Sequence, residues 1–391
     1  MHRINDRTVQ INFVVATPAA GYSLLFPIIP RHYFLGETNP ASQRNLAPLG
    51  NGAFAFESLM PLQSMRLVRN PYTFRAPAAI AEIEVLFLPD AQIDLYAFER
   101  GLVDAIRLPF PDWARNHTAK ELTAAPFPAM YFEFIGFNFT REVFRNLDIR
   151  QGIAHAFDAC EAVYTLYLHH AARAVAPIHP HSWMFDPGPA GFPHDPNRAR
   201  QLLRTLHLQS ENDEAEVPDD EDIYEEYDEY ETAPTLVILV AAESPERVAI
   251  AHRLSAGLYE IGHTARVDAV PAEAFLARLA ADDFDLYIGW MELSYAPDFA
   301  FLFSGERTGG VLFNHDPQLE TLFAATRVAT TESAFVQALS DLQRAFARNL
   351  PVIGLSFRHS AVLTGARVQT GTPPASNSIF VYVNEWKINS N

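Results

Sequence analysis

The sequence has a single cysteine, Cys160, among its 391 residues. One cysteine excludes an internal disulfide and a cysteine-rich zinc site, and it is compatible with either a reducing or an oxidising compartment. The chain also lacks any run of about 18 uncharged apolar residues, so no membrane-spanning helix is predicted. Its first ten residues, MHRINDRTVQ, are not followed by the apolar segment of a secretory signal.

The sequence also lacks the common catalytic and cofactor-binding motifs. The sequence contains no serine nucleophile elbow, no HExxH motif, no phosphate-binding glycine loop and no dinucleotide fingerprint. No nucleophile paired with a base is therefore predicted. The sequence gives no reason to expect an enzyme or a bound cofactor.

Basic residues are scarce relative to acids, with 29 Lys and Arg against 47 Asp and Glu and a formal net charge of −18. This balance argues against a nucleic-acid-binding protein, which needs a basic face to displace counterions. Much of the excess lies in residues 211–231, which hold 13 acids and no base, and the charge falls to −5 without them. That composition favours a solvated, disordered insertion. Weak calcium binding, or a partner contact through Tyr224, Tyr227 and Tyr230, is the alternative.

What the sequence does contain is 49% hydrophobic residues, enough for a sizeable core divided between two lobes. Alternation of apolar and polar residues predicts strands over 7–16 and in GAFAFESL, SMRLVRN and AEIEVLFLP. These strands together predict a sheet. The segment at 92–108, QIDLYAFERGLVDAIRL, predicts a helix closed by Gly101 and then a short strand.

In the second half of the chain, strand and helix periods alternate. TLVILVAA, HTARVDAV and FDLYIGW predict strands, and PERVAIAHRLSAGLYEIG and PAEAFLARLAA predict helices between them. This order predicts a largely parallel sheet with helices on its faces. A last helix, ESAFVQALSDLQRAFARN, precedes the predicted strand PVIGLSFR and a β-like tail, SIFVYVNEWKI.

The segment 143–163, VFRNLDIRQGIAHAFDACEAV, packs many polar side chains together after the apolar strand YFEFIGFNF. Asp148 is predicted to cap a helix, with Gln151 completing a capping box. The helix is predicted to be amphipathic and to continue through EAVYTLYL, with Cys160 as a small packing residue inside it. Asp195 followed by Pro196 predicts the start of the next helix.

Three histidines, His179, His181 and His194, occur in a proline-rich segment at 172–197. Imidazole together with nearby carboxylates suits zinc or nickel. Their spacing matches no compact metal motif, however, and a surface loop is the simpler interpretation. No metal site is therefore predicted.

Six motifs follow one another in an order that is typical of one family. They are PLGNGAF, LVRNPYTF, AFERGLVDAI, FRNLDIRQGIAHAFD, GFPHDPNRARQLL and GWMELSYAPDFAFLF. In this order they resemble the extracytoplasmic solute-binding proteins of ABC importers, in the oligopeptide- and dipeptide-binding branch (family 5). The resemblance covers residues 8–386.

The resemblance implies an α/β fold of the two-lobed, type II periplasmic-binding-protein kind, with mixed sheets and helices on both faces. The first lobe would be incomplete at its N-terminus. Residues 1–135 are predicted to form lobe I, residues 136–360 lobe II with the acidic insertion at 210–232, and residues 361–391 a return to lobe I.

The implied function is ligand capture without catalysis. A peptide or similar small solute would be held between the lobes and delivered to the permease subunits of an ABC transporter. The resemblance further implies a monomer outside the cytoplasmic membrane, in the periplasm or as a cell-surface lipoprotein, with its signal absent from this sequence. The alternative is an effector-sensing domain of a regulatory protein, with a DNA-binding module in the missing N-terminal part.

The segment GWMELSYAPDF is where the resemblance places ligand contacts. Gly289 and Trp290 match the family, and the backbone that follows, beginning with Met291, would face the ligand. In relatives an aspartate three residues after the tryptophan holds the amino group of a peptide. This chain has Leu293 there and offers Glu292 instead. Either Glu292 replaces the aspartate or the ligand lacks a free amine.

Two further residues complete the predicted site. Arg278 is a candidate partner for a ligand carboxylate, since a guanidinium binds a carboxylate through paired hydrogen bonds. Asp298, after Pro297, is a candidate ligand residue whose other role would be to form a turn or cap.

Overall fold

A computed structural model of the chain describes residues 1–389 except 15, 25–27, 37–41, 75, 110–121, 205, 207–234, 295–297 and 373–378. The acidic insertion lies outside the described residues. The chain divides into two compact units. Unit 1 comprises Met1–Ser23 and Tyr131–Phe357, and unit 2 comprises Leu24–Met130 and Arg358–Asn391.

Nine α-helices occur in the described residues. They are α1 (Arg31–Phe34), α2 (Ala91–Glu99), α3 (Leu147–His155), α4 (Ala159–Leu166), α5 (Pro196–Leu203), α6 (Pro245–Glu260), α7 (Ala272–Ala280), α8 (Pro317–Val328) and α9 (Glu332–Asn349). None of these helices combines the length and the apolar character that a membrane crossing requires.

Sixteen strands occur in the same residues. They are β1 (His2–Asn5), β2 (Thr8–Gln10), β3 (Phe54–Met60), β4 (Ser64–Arg69), β5 (Glu82–Leu86), β6 (Ala105–Pro109), β7 (Leu122–Phe137), β8 (Ala171–Arg173), β9 (Leu236–Ala241), β10 (Ala265–Val270), β11 (Leu286–Glu292), β12 (Arg307–Thr308), β13 (Val311–Leu312), β14 (Ile353–Gly365), β15 (Val368–Gln369) and β16 (Lys387–Ile388).

Unit 1 is built on strands in the order β10-β9-β11-β7-β14, with β8 paired to β14. The pairs β10 with β9 and β9 with β11 are parallel, and α6 and α7 are the crossover helices between them. This confirms the predicted alternation of strands and helices. The strand β7, in contrast, runs antiparallel to β11, so the sheet is mixed rather than largely parallel. Both β7 and β14 continue across a unit boundary.

Unit 2 contains the predicted antiparallel sheet, in the order β3-β4-β5. The helix α2 begins after Asp90, whose carboxylate accepts hydrogen bonds from the Gln92 and Ile93 amides. It ends just before Gly101, which has a φ of +69° that favours glycine, and β6 follows as predicted. A small core gathers Phe127, Val362, Val368, Val383 and Trp386.

The N-terminal segment differs from the prediction in two ways. The strand predicted over 7–16 ends at Gln10. Among the described residues β2 pairs only with β1, and its side chains are exposed, so the alternation of apolar and polar residues there buries no apolar face. In addition, residues 1–23 group with unit 1, although they were assigned to the same lobe as residues 24–130. The indole N–H of Trp183 donates to the Tyr22 hydroxyl (2.9 Å), and Tyr22 packs against the core of unit 1.

The β-like tail prediction is wrong for most of its length. Val383–Glu385 form a turn of 3-10 helix, and Lys387–Ile388 are the only part of the tail described by the structure that forms a strand. Val383 and Trp386 both reach the small core of unit 2. A spacing of three residues places side chains on one face of a tight helical turn, whereas a strand would need a spacing of two.

The helix predicted to begin at Asp148 and to continue through residues 161–168 is two helices. Asn146, not Asp148, is the N-cap of α3, and its side-chain oxygen accepts the Asp148 N–H (2.9 Å). The helix stops at His155, and Asp158 caps α4 by accepting the Glu161 N–H (2.8 Å). The predicted cap at Asp195 is confirmed, because its carboxylate accepts the Arg198 N–H at the start of α5.

Cys160 is exposed, so its predicted packing role is wrong. The break between α3 and α4 changes the rotation of the second helix. Cys160 therefore leaves the apolar face that one continuous helix would have given it.

Arg150 in α3 ties this helix to the end of α9. Its buried guanidinium donates to the carbonyls of Phe144 (2.8 Å), Arg145 (2.8 Å), Asn349 (2.7 Å) and Leu350 (2.9 Å). Burial lowers the pKa of Arg150 to about 10. A cation at a helix C-terminus also complements the helix dipole. Arg150 thus fixes the C-terminal end of α9.

We expect Arg150→Met to lower the free energy of unfolding by about 3 kcal/mol, because two buried and two partly buried carbonyls would lose a charged donor. Urea unfolding followed by circular dichroism measures this change. Arg348→Met, which removes an exposed arginine from the last turn of the same helix, is the matched control and should cost less than about 0.5 kcal/mol. Equal stability of the two variants would contradict the role given to Arg150.

Candidate functional site

The predicted site segment forms the carboxyl end of β11. Trp290 lies opposite Glu133 and Glu292 opposite Tyr131, both on the antiparallel strand β7. The parallel strand β9 ends at Ala241, and its pairing with β11 joins Ile238 to Leu286 and Leu239 to Tyr287. In open α/β sheets ligands bind beyond the carboxyl ends of the strands. We call the carboxyl ends of β9 and β11, with the adjoining start of β7 within unit 1, the carboxyl edge.

A buried ion pair lies at the carboxyl edge. Glu133 has no exposed surface, and its Oε1 accepts a hydrogen bond from Arg247 Nε (2.9 Å). Its Oε2 accepts one from the Tyr167 hydroxyl (2.6 Å) and a longer one from Ser356 Oγ (3.4 Å). Because a buried charge is tolerated only when paired and hydrogen-bonded, these partners account for an acid at this depth.

Trp290 is held by this ion pair. Arg247 Cζ lies 3.8 Å from the centre of the indole ring, and the Phe275 ring stacks near it at 5.7 Å with an interplanar angle of 22°. A cation over a tryptophan face is attracted by the ring quadrupole. The indole is partly exposed and packs against the core of unit 1. Its orientation is therefore set before any ligand arrives.

Gly289 is a packing requirement. It is buried opposite Phe134, and an added Cβ would lie 2.7 Å from Phe134 Cζ and 2.7 Å from Tyr287 Cε2. Real Cβ atoms essentially never approach other atoms so closely. The glycine thus lets two aromatic rings close over the strand directly before Trp290.

The last residues of β11 become progressively exposed. Met291 packs partly against the core, and Glu292 is exposed with its Oε2 3.3 Å from the Tyr131 hydroxyl, which donates to it. Leu293 turns back to the core. The position at which relatives are expected to have an aspartate is therefore used here for apolar packing.

Glu246 is a second carboxylate at the carboxyl edge, and sequence analysis missed it. It lies in the first turn of α6, just after β9, and is only 8% exposed. The Ser244 hydroxyl donates to its Oε2 at 3.4 Å, and no basic side chain lies within 4 Å of it among the described residues. The positive end of the helix dipole stabilises its charge.

Arg278 is not at the carboxyl edge with Trp290. Arg278 pairs with Asp268 (2.9 Å) and Asp283 (2.7 Å), and the latter precedes the amino end of β11. Hydrogen bonds from Arg266 and then Arg278 hold the pKa of Asp268 below its usual value against the opposing effect of burial. The strand β11 separates the Arg278 ion pairs from the carboxyl edge by about 20 Å, at roughly 3.3 Å per residue. Asp298 is exposed and lies 3.6 Å from Arg327.

The histidines of the proline-rich segment have local partners. The buried His179 accepts the His181 N–H on its Nδ1 (3.0 Å) and packs its ring against Phe357 at 4.8 Å. His194 is exposed. Across the part of the chain that the structure describes, no three His, Cys, Asp or Glu side chains form a group able to hold a metal ion.

Sequence reasoning missed Glu133 and Arg247, although one signal was available. Glu133 is the only charged residue in the otherwise apolar strand YFEFIGFNF. A charge in a buried strand requires a partner, which marks it as unusual. Nothing in the sequence identifies that partner, because Arg247 lies 114 residues further along the chain.

Comparison with known proteins gives a family match over most of the chain. The sequence model of bacterial extracellular solute-binding proteins, family 5 middle region, matches residues 1–311. A probable di/tripeptide-binding protein of Pseudomonas aeruginosa is 27% identical over 165 residues, covering 42% of this chain and 31% of that protein. Heme-binding protein A of Haemophilus influenzae is 24% identical over 157 residues, covering 40% and 29%. The chain thus matches about a third of the length of these relatives.

A solved structure shows the same fold. The crystal structure of a putative peptide-binding protein AppA from Clostridium difficile superimposes with a TM-score of 0.75 at 17% identity, covering 92% of this chain and 72% of that one. The predicted class, an α/β fold of the type II periplasmic-binding-protein kind with mixed sheets, is confirmed.

We expect Arg247→Met to destabilise the protein by about 3–5 kcal/mol, because Glu133 would remain buried without its cation. The double variant Glu133→Leu, Arg247→Met removes both charges and should lose less than Arg247→Met alone. Urea unfolding of the wild type, both single variants and the double variant gives the coupling energy. Losses that simply add would contradict a coupled pair.

Proposed function

Because the chain belongs to the bacterial extracellular solute-binding proteins of family 5, we propose that it is the ligand-capture component of an ABC importer. It binds a peptide or similar small solute and delivers it to the permease subunits. The protein acts as a monomer outside the cytoplasmic membrane and binds no nucleic acid, in keeping with its net charge of −18.

The open edge of β11 carries this proposal. On one side β11 pairs with β7 as far as Glu292, but on the other side its pairing with β9 stops at Tyr287 within the described residues. From Gly289 to Met291 the described residues supply no partner strand on that side. An extended peptide adds to such an edge through main-chain hydrogen bonds, which are independent of its sequence. Trp290 and Met291 supply side-chain contacts beside this edge.

Acidic groups at the carboxyl edge favour a ligand with an amino group. Glu292 is exposed at the end of β11 and is oriented by the Tyr131 hydroxyl, while Glu246 adds a second carboxylate at the start of α6. Leu293 is engaged in the core, so the amine-binding role passes to Glu292. A charge-assisted hydrogen bond between an ammonium group and a carboxylate is among the stronger polar contacts.

The protein binds its solute without transforming it. Members of the family are solute-binding proteins. The fully buried acid of the carboxyl edge, Glu133, is engaged by Arg247, Tyr167 and Ser356, which suits a structural rather than a proton-transfer role. The family match and the relatives above give no support to the alternative of a regulatory, effector-sensing protein.

We expect peptides to raise the thermal stability of the protein, because a ligand that binds only the folded state stabilises it by about 2.7 kcal/mol at 100 times its Kd. A thermal-shift screen with di- and tripeptide pools, longer peptide pools, nickel chelates and oligosaccharides measures this effect. Stabilisation by oligosaccharides and not by peptides would contradict the peptide assignment.

We expect Glu292→Gln to weaken binding of a stabilising peptide about tenfold, the loss of one charge-assisted contact. The same peptide acetylated at its amino terminus should bind wild type and variant equally. Glu306→Gln, at another exposed acid of unit 1, is the control and should leave both affinities unchanged. Titration calorimetry compares them, and an equal loss for free and acetylated peptides would contradict an amine contact.

A further inference from the structure

A groove in unit 1 shares no residue with the carboxyl edge. It lies between the loop 188–192 and the last turns of α9, and its volume is about 470 Å³. The loop contributes Gly188, Pro189, Ala190, Gly191 and Phe192, and α9 contributes Arg344, Ala347 and Arg348. A volume of this size is within the range of small-molecule sites.

The two arginines of the groove have one carboxylate, Asp186, between them among the described residues. Arg344 Nε donates to Asp186 Oδ2 (2.8 Å), which also accepts the Ser340 hydroxyl (2.6 Å), while Asp186 Oδ1 accepts the Gly188 N–H (2.9 Å). Arg348 is exposed, and across the described residues no carboxylate lies within 4 Å of its guanidinium. The groove therefore carries a net positive charge on a protein whose total charge is −18.

A third arginine lies beneath the loop. Arg173 Nη1 donates to the carbonyls of Ala174 (2.6 Å), Gly354 (2.5 Å) and Leu355 (2.8 Å), and its shielded Nε has no acceptor in the described chain. It forms a small adjoining pocket with Gly191, Phe192 and Ala347, which also line the groove. Cys160 and Asp158 interact with this cation electrostatically, but no carboxylate lies within 4 Å of its guanidinium among the described residues, so it adds to the positive potential there.

The rest of the lining is apolar and fixed in place. Phe192, Pro189, Ala190 and Ala347 supply the apolar surface. The Phe192 ring packs edge-on against His155 at 5.1 Å, and His155 Nδ1 is hydrogen-bonded to the Pro193 carbonyl (2.8 Å). Asp186 secures the start of the loop through Gly188. The groove is thus formed before any ligand binds, which reduces the entropic cost of binding.

We propose that this groove binds a small amphipathic carboxylate, with its anionic group on Arg348 and Arg344 and its apolar group against Phe192 and Ala347. Guanidinium groups hold a carboxylate through paired hydrogen bonds, and the apolar lining selects for a ring or branched chain attached to it. The site is independent of the solute captured at the carboxyl edge.

Three probes separate charge from apolar contact: benzoate, its neutral analogue benzamide, and acetate, which has the charge without the ring. Each is titrated into the whole chain labelled at alanine methyl groups, and Ala190 and Ala347 report binding in the groove. We expect saturable shifts of both methyl groups with benzoate, and binding at least about tenfold weaker with benzamide and with acetate. Benzoate shifts that do not saturate, or that leave both methyl groups unchanged, would overturn the proposal.

Arg348→Gln and Arg348→Glu test the charge directly at an exposed position where the fold tolerates change. Benzoate affinity should fall about tenfold in the first variant and further in the second. Arg198→Gln, at an exposed arginine on α5, is the control and should bind benzoate as the wild type does. An unchanged benzoate affinity in both Arg348 variants would refute the site, whatever the outcome of the peptide experiments.

Discussion

The buried ion pair between Glu133 and Arg247 is the interaction on which the carboxyl edge depends. Four separate parts of unit 1 meet at it: β7 through Glu133, α6 through Arg247, the end of α4 through Tyr167, and β14 through Ser356. A buried ion pair needs close to ideal geometry, because poor geometry leaves a desolvated charge uncompensated. The pair therefore fixes the start of α6 relative to the crossing strand β7.

This constraint extends to the ligand-binding strand through Trp290. Arg247 lies over the indole ring, so the ion pair, the ring and the end of β11 form one packed unit. A strand edge held rigidly beside a fixed aromatic ring needs no rearrangement to receive an extended ligand. The carboxylates of Glu292 and Glu246 then add the negative charge that favours a ligand amine. The core of unit 1 packs against β11. The binding properties we propose follow from a rigid platform in which β11, among the described residues, has no partner strand on one side from Gly289 to Met291.

Local features of the fold were predictable because short-range chemistry decides them. Gly101 ends its helix through a left-handed backbone, Asp195 caps α5, and the alternation of strand and helix periods gives β9 to β11. Predictions failed where two neighbours compete or where the decisive contact is distant. Asn146 displaces Asp148 as the cap because both residues are good caps only two positions apart.

The candidate site was predictable only in part, for the same reason. The segment from Gly289 to Glu292 was identified by its motif, but the Arg278 side chain is engaged toward the opposite end of β11 by Asp268 and Asp283. The position of Arg278 in its predicted helix does not show that Asp268 and Asp283 lie beside it. Glu133 and Arg247 are brought together by sheet register and by the placement of α6, which no local pattern encodes.

Amide hydrogen exchange across β11, with and without a peptide that stabilises the protein, tests the central claim most directly. We expect slower exchange on peptide binding for those amides between Gly289 and Met291 that point away from β7, since they would pair with the ligand backbone. Amides of β11 already bonded to β7 should change little. A peptide that stabilises the protein while leaving exchange from Gly289 to Met291 unchanged would contradict ligand capture at the open edge.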